Sequence, residues 1–218
     1  MPLTMVPTRR VAAETMAEVC REAGAVVRRG GVIAMPTESF YAFGADPWNG
    51  TAVERVCALK GRPTGKPILV LLADGHQVAG FARHVPPAAR ALMDHFWPGP
   101  LTIVLPAVSG LPALLTAGTD TIGLRWSACR DLRSILDATG PLTGTSANRS
   151  GDAPACAPEE VTRAYGAHLD LLLDAGPTAG GPPSTLVDLT GRPRLLREGA
   201  VSAERLRETL ARFGESLS

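Results

Sequence analysis

Lysine is nearly absent from this chain: of its 22 basic residues, only Lys60 and Lys66 are not arginine. Other shortages bound it further. Aromatic residues make up 5% of the sequence, too few to suggest the repeated stacking platforms that grip single-stranded nucleic acid. Neither charge sign is in excess, with 22 basic against 21 acidic residues. The molecule is therefore no polycation, and a site for a polyanion has to be a local patch. Cys20, Cys57, Cys129 and Cys156 are far apart, with no C-x-x-C pair and no nearby histidine cluster. That argues against a zinc site or a disulfide scaffold and for a reducing compartment. No segment reaches the ~18 uncharged apolar residues that span a bilayer. The first residues carry Glu14 and Glu18 and lack the apolar core of a signal peptide. A cytoplasmic protein without a membrane partner is expected.

The common catalytic signatures are missing too. His76, His84, His95 and His168 stand in no nucleophile or metal motif, and neither G-x-S-x-G nor H-E-x-x-H occurs. Gly61-x-x-x-Gly65-Lys66 has three residues between its glycines where a phosphate loop needs four, and Pro67 stands where Ser or Thr would hold magnesium. The segment also leaves a helix and enters a strand, the reverse of a phosphate loop. Chemistry here has to rest on positioning and charge stabilisation, not on a protein nucleophile.

What is present is an ordinary globular composition, 45% apolar over 218 residues, which suits one α/β domain over residues 1–218 with its core at about 12–213. Helical spacing over 12–29 stops at Gly30-Gly31, and an apolar run over 32–35 is broken by Pro36. Thr51 and Glu54 look like a capping box for a helix ending at Lys60. Further helices are expected over 77–82, 88–96, 131–138 and 158–165, and from Ser202 onward. Strands are expected over 68–72, 101–105, 121–126, 141–145, 169–173, 185–189 and 194–197. The last three come without intervening helices, so the sheet should be mixed.

Four polar segments interrupt this pattern. In Lys60-Gly61-Arg62-Pro63-Thr64-Gly65-Lys66, the two surviving ammonium groups and Arg62 read either as a polyanion site or as a chance pairing of surface lysines. In Pro36-Thr37-Glu38-Ser39-Phe40-Tyr41, residues 37, 39 and 41 share one face if the strand continues, which would suit a small polar ligand. An ordinary strand exit with local hydroxyl bonds fits equally simple expectations. Thr145-Ser146-Ala147-Asn148-Arg149-Ser150-Gly151 and Pro182-Pro183-Ser184-Thr185 read alone as turns of small polar residues. Arg125 and Arg197 lie in apolar strands, where a charge is costly unless an acidic neighbour or a ligand anion neutralises it.

Together PTESFYAFG, KGRPTGKP, WPGPLT, TSANRSG, PPSTLVD and LLREG, in this order, resemble the YrdC/Sua5 family of threonylcarbamoyl-adenylate synthases, from about Gly30 to Arg207. The length is similar to the family's short, single-domain form. The resemblance implies a YrdC-like twisted mixed sheet with flanking helices and a concave ligand cleft. It implies formation of threonylcarbamoyl-AMP and pyrophosphate from L-threonine, bicarbonate or CO2, and ATP. A downstream threonylcarbamoyl-transferase complex would place the group on adenosine 37 of certain tRNAs. It further implies that Thr37, Ser39, Tyr41, Arg125, Ser146 and Ser184 serve threonine. ATP would meet Lys60, Arg62, Lys66, Thr121, Asn148, Cys156 and Arg197, with Lys60 and Arg62 closest to the chemistry. No metal is expected on protein ligands, since Mg2+ would be held mainly by the ATP phosphates. The sequence departs from the family at Leu71, where many relatives have histidine, at Ser127, where proline is usual, and at Cys156, where threonine is common. An RNA-binding module without turnover, or an enzyme with another carbamoyl acceptor, are the competing readings.

Overall fold

The computed structural model describes residues 6–61 and 65–218. Arg62 falls outside the described residues. In chain order the strands are β1 (Thr8–Arg10), β2 (Ile33–Pro36), β3 (Tyr41–Gly44), β4 (Val70–Leu72), β5 (Leu101–Pro106), β6 (Thr121–Trp126), β7 (Leu142–Thr143), β8 (Thr145–Ser146), β9 (Leu171–Asp174), β10 (Thr185–Asp188) and β11 (Arg194–Arg197). The helices are α1 (Met16–Arg28), α2 (Gly50–Lys60), α3 (Pro87–Phe96), α4 (Ala113–Thr116), α5 (Arg130–Thr139), α6 (Pro158–Tyr165) and α7 (Ala203–Ala211).

The strands divide over two mixed sheets, in the order β1-β9-β2-β3-β8 and β11-β10-β5-β6-β4-β7. Residues 141–145, expected as one strand, are split between them. β7 pairs antiparallel with β4, while β8 pairs antiparallel with β3. The chain changes sheet at Gly144, and only glycine fits there. A Cβ at this position would come within 2.5 Å of Leu71 Cγ and 2.7 Å of Leu69 Cδ1, well inside contact distance. The backbone between β7 and β8 is thereby pressed against β4 and the residue before it.

Alternation along the strands sorts the core into two clusters. Ile33 and Met35 of β2 join Val26, Val27, Ile135 and Leu136 of the α1–α5 pair. Ala34, between them, belongs to the other side, with Phe43, Val53, Val70 and Ile103. There Phe43 meets Tyr165 edge-on, ring centroids 5.0 Å apart. Each fully buried Leu, Ile or Phe contributes roughly 1.5–3 kcal/mol, so the strands around the cleft are held by apolar burial on both faces.

Several elements differ from expectation. The 12–29 helix begins at Met16, and 77–82 is a 3-10 segment over Gly75–Gly80. Helix α2 is capped by Asn49, whose side chain accepts from Ala52 N at 3.1 Å, and not by a box built on Thr51. Thr51 already lies inside the helix, one residue beyond Gly50. Replacing Asn49 by Ala should lower stability by about 1 kcal/mol, read as a shifted urea midpoint with unchanged slope. Gly61 ends α2 in the left-handed conformation, φ 52°, which glycine adopts without strain. Ser202 caps α7 as expected, accepting from Arg205 N.

Candidate functional site

Where the two sheets meet, a cavity of about 900 Å3 opens. The tip of the β2–β3 hairpin contributes Thr37, Ser39, Phe40 and Tyr41; the end of α2 and the segment beyond contribute Lys60, Lys66 and Pro67. Val104, Thr119, Thr121, Gly123 and Arg125 come from β5–β6, and Ser146, Asn148 and Ser150 from the loop after β8. Ser184, Asp188, Arg194, Leu196 and Arg197 come from β10–β11 and the residues just before them. Segments more than a hundred residues apart in sequence thus converge. Of the site residues singled out in the sequence and lying within the described segments, Cys156 alone is off the lining. Its backbone N–H donates to Glu160 Oε2 at 2.8 Å, and its carbonyl accepts from Thr178 N at 2.8 Å.

Lys60 is the hub of one wall. Its residue is 4% exposed, and Nζ lies 2.6 Å from Asn148 Oδ1, 2.7 Å from the Ser146 carbonyl and 3.4 Å from Ser146 Oγ. Ser146 Oγ in turn donates to Asn148 Oδ1 at 2.6 Å. The amide nitrogen of Asn148 donates to the carbonyls of Arg149 and Asp152. The Lys60 carbonyl accepts from Ser150 N at 2.8 Å. An ammonium in the last turn of a helix also meets the negative end of the helix dipole. The positive charge is therefore fixed in place at the cavity wall, preorganised for an anion.

The opposite wall carries two guanidinium groups. Arg125 is buried; its Nε donates to the Gly99 carbonyl at 3.1 Å and its Nη2 lies 2.8 Å from Glu38 Oε2. Arg197 donates from Nη2 to the Ser184 carbonyl at 2.8 Å. Burial, and then the charge of Arg125, lower the Arg197 pKa from its ordinary value. Two cations facing one cavity repel each other, and an anion between them relieves that repulsion. Ser184 Oγ lies 2.8 Å from Thr102 Oγ1, which fixes the hydroxyl at the strand start.

The hydroxyls of the first motif do less than a continued strand would allow. Residues 37–40 form the hairpin turn, closed by Thr37 N to Phe40 O at 3.0 Å, and Thr37 Oγ1 donates to that same carbonyl at 2.7 Å. Thr37 is thus spent on local backbone. Tyr41 donates its hydroxyl to the Gly176 carbonyl at 2.8 Å and accepts from Ala175 N. Burial pushes its pKa up to about 12. Tyr41 lines the cavity while its oxygen ties down residues 175 and 176. Ser39 ties the same segment through its carbonyl, which accepts from Thr178 Oγ1 and Gly180 N. Its Oγ has one long contact, 3.4 Å to the Pro182 carbonyl.

Sequence reading passed over Glu38, although it stands inside the PTESFY motif. It is the acidic neighbour of Arg125, and Ser127, where the resemblance has proline, donates to its Oε1 at 2.8 Å. Asp188, Thr190 and Arg194 were also missed at the outer end. Asp188 accepts from Thr190 Oγ1 and Arg194 Nη2. Their signal was the presence of Asp188 and Arg194 in segments that otherwise read as strands. Leu71 is buried and lines the cavity with an apolar surface.

A family model covering the Sua5, YciO and YrdC proteins, described as telomere recombination, matches residues 25–199. A threonylcarbamoyl-AMP synthase of Thiobacillus denitrificans is 41% identical over 170 residues, 77% of this chain and 90% of that protein. The threonylcarbamoyl-AMP synthase of Pyrococcus abyssi is 33% identical over 192 residues, 87% of this chain; the match spans only 56% of that longer protein. The solved structure of P. abyssi Sua5 complexed with L-threonine superposes with a TM-score of 0.89 at 31% identity, over 99% of this chain and 63% of that one. By motif, fold and matched length, the chain belongs to the Sua5/YciO/YrdC family.

Proposed function

We propose that the protein is a threonylcarbamoyl-AMP synthase. The observation that carries this reading is the cavity itself, which has a polar pocket beside Arg125 and three further cations, Lys60, Lys66 and Arg197, on its lining. Such a pair of subsites suits an amino acid on one side and a polyphosphate on the other. Relatives named threonylcarbamoyl-AMP synthase, at 33% and 41% identity, and the threonine complex of P. abyssi Sua5 support the same assignment.

In this reading the threonine amine and CO2, drawn from bicarbonate, form a carbamate. A carbamate oxygen attacks the α-phosphorus of ATP, and pyrophosphate leaves with the bonding electrons of the broken P–O bond. No protein nucleophile is needed, which accounts for the missing catalytic motifs. Arg125 holds the threonine carboxylate, with Ser39, Ser146 and Ser184 around the amino acid and Thr37 and Tyr41 shaping the pocket. Lys60, Arg62, Lys66, Thr121, Asn148 and Arg197 face ATP, and Cys156 supports that half through residues 156–180. Lys60 and Arg62 offset charge that accumulates as the two anions meet.

Asp188 is the carboxylate lining the described cavity, and Thr190 and Arg194 already engage it. Among the described residues no group of three or more His, Cys, Asp or Glu side chains could hold a metal ion. A magnesium ion carried by the nucleotide phosphates and water would offset phosphate charge there. Among the described residues no helix is long and apolar enough to cross a membrane. The product would pass to a threonylcarbamoyl-transferase acting on tRNA in the cytoplasm. With 13C-bicarbonate, threonine and ATP, mass spectrometry should find one carbon of label in an adenylate containing threonine. An adenylate of threonine without the label would contradict the carbamate step.

A further inference from the structure

We infer that Glu38 is a positioning residue for the carboxylate-binding half of the cavity, aiming Arg125 and pinning the hairpin tip that carries Ser39; for threonine as the ligand, this rests on the reading proposed above. Thr37 and Ser39, on either side of it, line the cavity, whereas Glu38 reaches from the first sheet to the β6–α5 junction of the second. Its two oxygens divide the work. Oε1 accepts from Ser127 Oγ at 2.8 Å, Ala128 N at 2.7 Å and Cys129 N at 3.3 Å. The two backbone donors immediately precede α5, where a carboxylate is favoured by the helix dipole. Oε2 takes the Arg125 ion pair at 2.8 Å.

These contacts leave Arg125 little freedom. With Nε on the Gly99 carbonyl and Nη2 on Glu38, the planar group is fixed by two anchors. Nη1 has no protein partner among the described residues, so it stays available to a ligand oxygen. A carboxylate entering the cavity meets a donor already oriented, which removes ordering cost from binding. Glu38 also offsets part of the positive charge that Arg125 and Arg197 place side by side, so the empty site tolerates both. Burial pushes the Glu38 carboxyl up, but Arg125 and the converging donors outweigh it and hold its pKa below the ordinary value. The carboxylate is thus ionised wherever the site has to work.

The test is Glu38→Gln, which keeps an acceptor for Ser127, Ala128 and Cys129 but presents an amide to Arg125. Calorimetry should show threonine affinity weakened about tenfold, the usual scale of one charge-assisted hydrogen bond, with ATP affinity within about twofold. In an Arg125→Met background the same substitution should add nothing, because Glu38 acts through Arg125. Unchanged threonine affinity, equal weakening of threonine and ATP, or full additivity with Arg125→Met would each overturn the inference. Ser127→Ala removes one donor from Oε1 without touching the ion pair; should Glu38→Gln not fold, it gives a milder loss in the same direction, about threefold. The Arg125 Nε–H resonance in 15N NMR provides a readout that does not depend on the substrate. It should exchange slowly in the wild type and faster in Glu38→Gln. If the wild type binds no threonine, the proposed function fails, and an unchanged Arg125 Nε–H in Glu38→Gln separately refutes the positioning role.

Discussion

Lys60→Ala should lower threonine-dependent pyrophosphate release by about a hundred- to a thousandfold, the scale seen when a preorganised donor to developing charge is removed. The effect follows from burial and connectivity together. The ammonium is held by Ser146 and Asn148 on the cavity wall. Its removal also takes a donor from the Ser146 carbonyl, whereas Asn148 Oδ1 keeps Ser146 Oγ. A stability loss of about 1–3 kcal/mol should therefore accompany the loss of turnover. Lys60→Met restores most of the packing and should recover part of the stability but none of the rate. Denaturant unfolding beside pyrophosphate assays separates the two effects. A folded Lys60→Met protein with a wild-type rate would remove Lys60 from the chemistry.

Arg125→Met should act on threonine more than on ATP. Arg125 would meet the threonine carboxylate directly, and losing one such charged contact costs about 2 kcal/mol, so the threonine KM should rise about thirtyfold. The ATP KM should change far less. The variant leaves Glu38 without its counter-charge, and a quarter-exposed carboxylate can recruit water, so the stability cost should stay at about 1–3 kcal/mol. The pH dependence gives an independent check. In the folded protein Glu38 titrates below its ordinary value of 4.5. Its ionisation therefore favours the native state above pH 4.5, and that contribution is lost as pH falls through the folded pKa. Without Arg125 the folded pKa rises, so the variant should lose less stability than the wild type on acidification across that window. Equal acid sensitivity of the two proteins would mean the ion pair does not hold Glu38 ionised.

Elements with a strong local signal were legible in the sequence. The long amphipathic helices, the apolar strands β5 and β6, and the Ser202 cap all follow from residue period and capping chemistry. The division of 141–145 between two sheets was not legible, because it depends on Gly144 pressing against Leu69 and Leu71 from a distant strand. The same limit applied at α2, where Asn49 outcompetes Thr51 as the cap. In the cavity, the motifs revealed which residues gather there but not what each atom bonds. Lys60 and Ser146 are 86 positions apart, and no spacing rule connects them. Thr37 and Tyr41 illustrate the reverse: their positions on the lining were foreseen, but their hydroxyls serve the hairpin turn and residues 175–176. Glu38 was hidden by its ordinary place in a turn, since only the fold brings the β6–α5 junction to it.

Pyrophosphate release from ATP and bicarbonate, with threonine present, absent or replaced by serine, tests the central claim most directly. Release should depend on threonine and be much weaker with serine, whose missing methyl group leaves part of an otherwise apolar contact unfilled. Release that is equal with and without an amino acid, or none with threonine, would contradict a threonine-dependent synthase.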